Sequence, residues 1–145
     1  MKLRWQVRTH QDTRAVATEV AELLAFGDVL ALSGDLGAGK TTFVKHLVGA
    51  LGGDQQAVTS PTFSLIDEHP LPDGLFVHAD LYRINDASDL QNTGLLEYFG
   101  ADDCIVVVEW PSKGGGVATM ATAELAIALD GDVRNFVFTR AGTRN

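Results

Sequence analysis

The stretch Gly34-Asp35-Leu36-Gly37-Ala38-Gly39-Lys40-Thr41 constrains this chain more than any other part of it. It satisfies G-x-x-x-x-G-K-[ST] at every fixed position, between the apolar run Val29-Leu30-Ala31-Leu32 and a helix expected over residues 41–51 that ends at Gly52-Gly53. Phosphate binding needs that order. The glycines let the backbone curl so that successive N–H groups converge on phosphate oxygens, and the helix N-terminus adds its partial positive charge. Lys40 can reach β- and γ-phosphates and the Thr41 hydroxyl can ligate magnesium; Thr42 either lines the loop or simply fills the first helical turn. The run before the loop is continuous rather than alternating, as in a strand buried on both faces of a parallel sheet.

Around this centre the chain alternates strand and helix signals. Residues 3–9 suit an edge strand, Asp12 or Thr13 offers a helix N-cap, and Val16, Val20, Leu23 and Leu24 mark one face of a helix over 14–26 that Gly27 stops. Residues 61–67 read as a loop entering a strand, 70–74 as a turn and 75–79 as a strand. Residues 86–99 are helical in parts, with Gly94 interrupting them; 104–108 is the strongest buried-strand signal, and Gly114-Gly115-Gly116 is a loop. Two strand-like runs, 123–129 and 133–139, flank Asp130-Gly131-Asp132, whose Asp-Gly suits a tight hairpin turn. The pattern predicts one α/β domain over residues 1–145, a P-loop NTPase domain with a mixed, mainly parallel sheet flanked by helices.

Composition narrows the function. With 145 residues, 46% of them hydrophobic and 21% charged, the chain can bury a real core. No apolar run approaches the ~20 residues that span a bilayer, and Met1-Lys2-Leu3-Arg4-Trp5-Gln6 leads into no apolar segment, so a cytoplasmic protein without a membrane anchor is expected. A net charge of −8 opposes free-standing binding to nucleic acid, and the densest basic stretch is only Lys2, Arg4 and Arg8. Contact with RNA is therefore expected to be indirect. The single cysteine, Cys104, opens an apolar run and reads as a buried, inert thiol; it leaves no disulfide framework and no cysteine-cluster zinc site.

A phosphate loop needs carboxylates at the ends of neighbouring strands, to hold the metal's water shell and to orient an attacking water. Asp80 follows Leu75-Phe76-Val77-His78-Ala79, and Glu109 follows Ile105-Val106-Val107-Val108, so both stand where open α/β sheets place their ligands. Which acid is nearer the metal is open at this level. Thr59-Ser60-Pro61-Thr62-Phe63 is a hydroxyl-rich loop placed, like an NTPase switch, to sense a γ-phosphate. His78 and Trp110 flank the acids, and each taken singly reads as packing.

The phosphate loop, Ser60-Pro61-Thr62-Phe63, His78-Ala79-Asp80-Leu81-Tyr82-Arg83 and Val108-Glu109-Trp110-Pro111 together resemble the TsaE family, small bacterial ATPases of tRNA threonylcarbamoyladenosine biosynthesis. The resemblance runs from about the first helix to Gly116. It implies ATP held by Gly34, Asp35, Leu36, Gly37, Ala38, Gly39, Lys40, Thr41 and Thr42, with Trp110 beside the nucleotide. It implies magnesium at Thr41 and Glu109, Asp80 as the Walker B-like acid, and Ser60 with Thr62 as a switch-like loop. Lys40, Asp80, Glu109 and Thr62 would then serve hydrolysis. The implied partners are TsaD and TsaB, which transfer threonylcarbamoyl to an adenosine of tRNA, with slow ATP hydrolysis resetting them. One departure is Ala118-Thr119-Met120, where the family leads one to expect Leu-Pro; it sets the last strands, Arg134 among them, outside the resemblance.

Rival readings fare less well on the residues. A small-molecule kinase needs an acceptor pocket and an arginine-bearing lid, yet between Arg14 and Arg134 the only arginine is Arg83. A GTPase would carry Asn-Lys-x-Asp and Asp-x-x-Gly, and neither occurs. A nucleotide-binding regulatory module without turnover differs only in its kinetics, and the absence of an arginine finger from the loops is compatible with slow hydrolysis.

Overall fold

A computed structural model of the chain describes residues 1–35, 37–59, 65–84, 90, 92–111 and 117–140. The chain order is β1 (Lys2–Val7), α1 (His10–Leu23), β2 (Val29–Gly34), α2 (Lys40–Ala50), β3 (Ile66–Leu71), β4 (Gly74–Asp80), β5 (Cys104–Glu109), β6 (Ala123–Asp130) and β7 (Val133–Arg140). Single 3-10 turns lie at Gln55–Ala57 and Leu95–Tyr98, and one helical turn at Val117–Met120. Among the described residues the strands form one seven-stranded sheet in the order β1-β7-β6-β2-β5-β4-β3. β6, β2, β5 and β4 are mutually parallel, while β7 and β3 run against their neighbours. The sheet is thus mixed and mainly parallel, as the alternation of elements predicts.

Burial explains the centre of the sheet. All six residues of β5 are buried, and so are Val29, Leu30, Ala31 and Leu32 of β2, because helices or loops cover both faces there. One face packs against α1 and α2 through Val16, Val20, Phe43, Leu47, Phe76 and Val107. The other carries Val77, Ala79, Val106 and Val108 under Leu81, Ile84 and Leu95. Cys104 is 5% exposed, and burial lifts its thiol to about 11, so the inert reading stands. No helix among the described residues is long and apolar enough to cross a membrane.

Several boundaries move from their sequence-based positions. α1 starts at His10, not Arg14, and its N-cap is Thr9 rather than Asp12 or Thr13. Thr9 Oγ1 accepts from Asp12 N at 3.0 Å while Asp12 Oδ2 accepts from Thr9 N at 3.2 Å, a reciprocal capping box. The exposed first turn carries no apolar signal, so periodicity cannot see it. The same helix ends at Leu23, because Leu24 turns extended and Asp28 takes the N–H of Ala25 at 2.8 Å. Gly27 therefore lies beyond the stop, in the turn into β2. Pro70 and Leu71 belong to β3 rather than to a turn; the reversal is at Pro72-Asp73, and β3 tolerates a proline because it is an edge strand. Within 86–99, Leu90 is helical and a 3-10 turn follows at Leu95–Tyr98, preceded by Gly94 at φ 79°, so Gly94 lies between helical pieces as expected. The last hairpin turns at Gly131-Asp132 with Gly131 at φ 62°, one residue further on than Asp-Gly suggests.

Candidate nucleotide site

The phosphate loop leaves the C-terminal end of β2 and enters α2. Its glycines are required by geometry, Gly37 at φ 80° among them. A Cβ on Gly34 would stand 2.9 Å from the carbonyl oxygen of Ile127 in β6, and Gly39, the N-cap of α2, adopts φ 103°. Ala38 is buried, and its N–H donates to Asp35 O at 3.0 Å, closing the turn beneath the loop. Leu36 lies outside the described residues, as do Ser60, Thr62 and Gly114 to Gly116.

Lys40 is 6% exposed. Its ammonium donates to Gly34 O at 2.7 Å and stands 3.9 Å from the centre of the Trp110 ring. Among the described residues it forms no ion pair. Burial pulls its ammonium below the usual lysine range, against the charges of Glu109, Asp80 and Asp35. It is a cation placed among carboxylates but bonded to none of them.

The register of the parallel pair β4 and β5 sets Asp80 directly beside Glu109. Asp80 Oδ1 accepts from Tyr82 N at 2.9 Å, and Glu109 Oε2 meets His78 Nε2. Burial raises the Asp80 carboxyl, and the neighbouring charge of Glu109 adds to the rise. Trp110 holds φ 55°, a left-handed conformation uncommon for a bulky residue, and Leu65, whose carbonyl accepts from Asp80 N at 2.9 Å, holds φ 66°. Two such residues, Trp110 beside Glu109 and Leu65 bonded to Asp80, are the kind of local strain that clusters at ligand sites. Tyr82 packs on Trp110 with ring centres 5.1 Å apart.

Lys40, Asp80, Glu109 and Trp110 line one cleft of ≈ 320 Å³ together with Gly37, Gly39, Thr41, Thr42 and Arg134, and its volume is in the range of small-molecule sites. Of the predicted set, Gly37, Gly39, Lys40, Thr41, Thr42, Asp80, Glu109 and Trp110 line this cleft, whereas Gly34, Asp35 and Ala38 belong to the loop but are not among its lining residues. The structure adds Arg134 from β7, which the sequence reading left aside. Arg134 borders both this cleft and a smaller cavity of ≈ 60 Å³ lined by Arg8, Thr9, His10 and Thr13, and its buried Nε has no partner among the described residues. No local motif marks it, because only the β1-β7-β6 pairing brings β7 to the phosphate loop. The tight His78 contact with Glu109 was likewise invisible in the chain order.

The model of the family described as "Threonylcarbamoyl adenosine biosynthesis protein TsaE" matches residues 7–136. The tRNA threonylcarbamoyladenosine biosynthesis protein TsaE of Bacillus subtilis is 38% identical to this chain, over 99% of it and 89% of the relative. That of Streptomyces coelicolor is 39% identical over 90% and 92%. The crystal structure of Bacillus subtilis YdiB superposes with a TM-score of 0.71 at 32% identity, covering 98% of this chain and 87% of that one.

Proposed function

The chain belongs to the TsaE family of tRNA threonylcarbamoyladenosine biosynthesis, and from that premise we propose that it binds ATP with magnesium in the Lys40 cleft and hydrolyses it slowly to drive or reset TsaD and TsaB. The observation that carries the reading is Lys40 itself, a buried ammonium between the phosphate loop and two carboxylates that forms no ion pair among the described residues. Triphosphate oxygens supply the anion it lacks.

In this reading the loop N–H groups and Lys40 hold the β- and γ-phosphates, Gly39 to Thr42 present the N-terminus of α2, and Trp110 flanks the nucleotide. Arg134, whose Nε has no partner among the described residues, adds a second cation on the α2 side. The donor set suits magnesium: Thr41, Asp80 and Glu109 offer hard oxygens, and Asp80, whose carboxyl is raised by burial and then by the neighbouring charge of Glu109, would gain from a cation placed between the two acids. No cluster of three His, Cys, Asp or Glu side chains that could hold a metal ion occurs among the described residues, so phosphate oxygens and water would complete the shell. Bound there, the ion would neutralise charge developing on the phosphoryl oxygens. Asp80 and Glu109 would orient the attacking water and the ion's water shell.

Phosphate release from ATP and from GTP, by the protein alone and with TsaD and TsaB, tests the reading. Slow release from ATP alone that changes on adding both partners, with association that depends on nucleotide, is the expected result. Tight ATP binding without release under any of these conditions would make the protein a nucleotide-binding regulatory module. Tight, salt-sensitive tRNA binding by the protein alone, with no partner association, would refute the partner reading.

A further inference from the structure

We propose that His78 is a positioning residue for Glu109, and that their contact sets how strongly the cleft holds a divalent cation rather than how strongly it holds nucleotide. The proposal rests on the nucleotide reading of the cleft.

His78 precedes Asp80 by two residues on β4, so the two side chains share a face, with Phe76 on the same file. His78 and Phe76 are both 0% exposed. An imidazole at that position gives up its hydration where an aliphatic side chain would lose none. Only one of its nitrogens is recompensed. Nε2 meets Glu109 Oε2, whereas Nδ1 has no partner among the described residues. A histidine accommodated for its own sake would have both nitrogens satisfied; this one is satisfied only on the side that faces the acid.

The consequence falls on Glu109. It is 3% exposed, it lines the cleft, and His78 is its one side-chain hydrogen-bond partner among the described residues. A glutamate has three side-chain torsions, and committing Oε2 to His78 fixes the direction in which the remaining oxygen faces. Asp80 is treated in parallel: Oδ1 is committed to Tyr82 N, and the carboxylate borders the same cleft. Each acid thus has one oxygen held by the protein. A pre-oriented carboxylate binds an incoming cation without reorganisation, and removal of such an orienting partner characteristically weakens metal binding.

The test compares the wild type with His78→Leu and His78→Gln by calorimetric titration of ATP, in EDTA and in saturating Mn2+, with thermal melting as a check on folding. His78→Leu is expected to bind ATP in EDTA like the wild type and to lose about tenfold in the gain that Mn2+ confers. His78→Gln, whose amide N–H can reach the same carboxylate oxygen, should restore most of that gain. An equal Mn2+ gain in wild type and His78→Leu overturns the His78 proposal and leaves the nucleotide reading standing. So does a loss of equal size with and without Mn2+, which would show a packing role. If His78→Leu does not fold, His78→Gln decides: a Mn2+ gain within about threefold of wild type supports the proposal, and a loss of about tenfold in a folded protein overturns it. A wild type that binds ATP in neither condition overturns the nucleotide reading, and this proposal with it.

Discussion

The two ends of the central strands treat charge in opposite ways. Where β2 begins, Asp28 accepts from Arg140 Nη1 and Nη2 at 3.0 and 2.9 Å, from Ala25 N at 2.8 Å and from Thr122 Oγ1 at 2.7 Å. Arg140 also donates to Leu23 O at 2.8 Å, so one pair ties the end of α1, the entry to β6 and the last strand together. Where β2 ends, Lys40 has no ion pair, Asp80 carries a raised carboxyl, and Arg134 and His78 each hold an unpartnered nitrogen among the described residues. A saturated charge cluster stabilises a fold, and an unsaturated one awaits a ligand. Substitutions at the two ends should accordingly separate stability from activity.

The largest effect is expected from Glu109→Gln. If Glu109 meets metal and water as proposed, loss of its carboxylate should lower ATP turnover by about 100-fold, while the melting temperature hardly moves. Turnover within a few-fold of wild type would remove Glu109 from the chemistry. Next comes Arg140→Ala at the saturated end, which strands a partly buried carboxylate. It should cost roughly 2–3 kcal/mol, less than a fully buried pair, because the Arg140 side chain is 25% exposed. Melting should fall by about 5–10 °C, with turnover per folded molecule unchanged. A parallel loss of turnover at a temperature where the variant is fully folded would show that the two ends are coupled.

Lys40→Ala should lower ATP binding or hydrolysis by at least ~10-fold with the fold intact, since the proposed charge-assisted contacts to phosphate would be lost. Unaltered hydrolysis by the folded variant would undo the assignment of the loop.

Smaller effects separate the two aspartates by sign. Burial works to raise Asp28, but its bonds to Arg140, Ala25 and Thr122 outweigh it and hold the carboxyl below 3.8. Its contribution is therefore present above pH 3.8 and is lost as pH falls through the lower folded value. Asp80 is raised above 3.8, so its contribution is present below that pH and is lost as pH rises through the folded value. Ionised Asp80 thus weakens the nucleotide-free protein at neutral pH. Asp80→Asn should raise its melting temperature at pH 7 by about 2 °C, a small gain because solvent at the cleft screens the charge, while depressing turnover. A lower melting temperature would contradict the unsaturated reading of this end. The smallest signal is optical: in a Trp5→Phe background, ATP with magnesium should change Trp110 fluorescence saturably as Lys40 leaves the ring. A flat titration, with binding shown independently, would place nucleotide away from Trp110.

Legibility followed the range of the interactions. β2, β5 and the phosphate loop were readable because each is declared by contiguous residues, an apolar run or glycines that only a sharp turn requires. The acids Asp80 and Glu109 were readable because each directly follows a buried run, and the sheet register then set them side by side. The N-cap at Thr9 was misplaced because its evidence is a side-chain bond on an exposed turn. The end of α1 was misplaced because Leu24 leaves the helix, 8% exposed, while Asp28 captures the freed N–H.

By itself, then, the sequence determined an α/β chain with a phosphate loop at the end of a buried parallel strand and two carboxylates at neighbouring strand ends, since those features need only local chain stiffness, apolar continuity and residue type. Only the tertiary structure decided which groups meet across the sheet. His78 reaches Glu109 because β4 and β5 are adjacent and parallel, Arg134 borders the cleft because β7 returns antiparallel beside β6, and Arg140 finds Asp28 because the same hairpin ends where β2 starts. Such pairings join residues far apart in the chain, and their energies depend on burial and register, which are properties of the assembled sheet and of no segment within it.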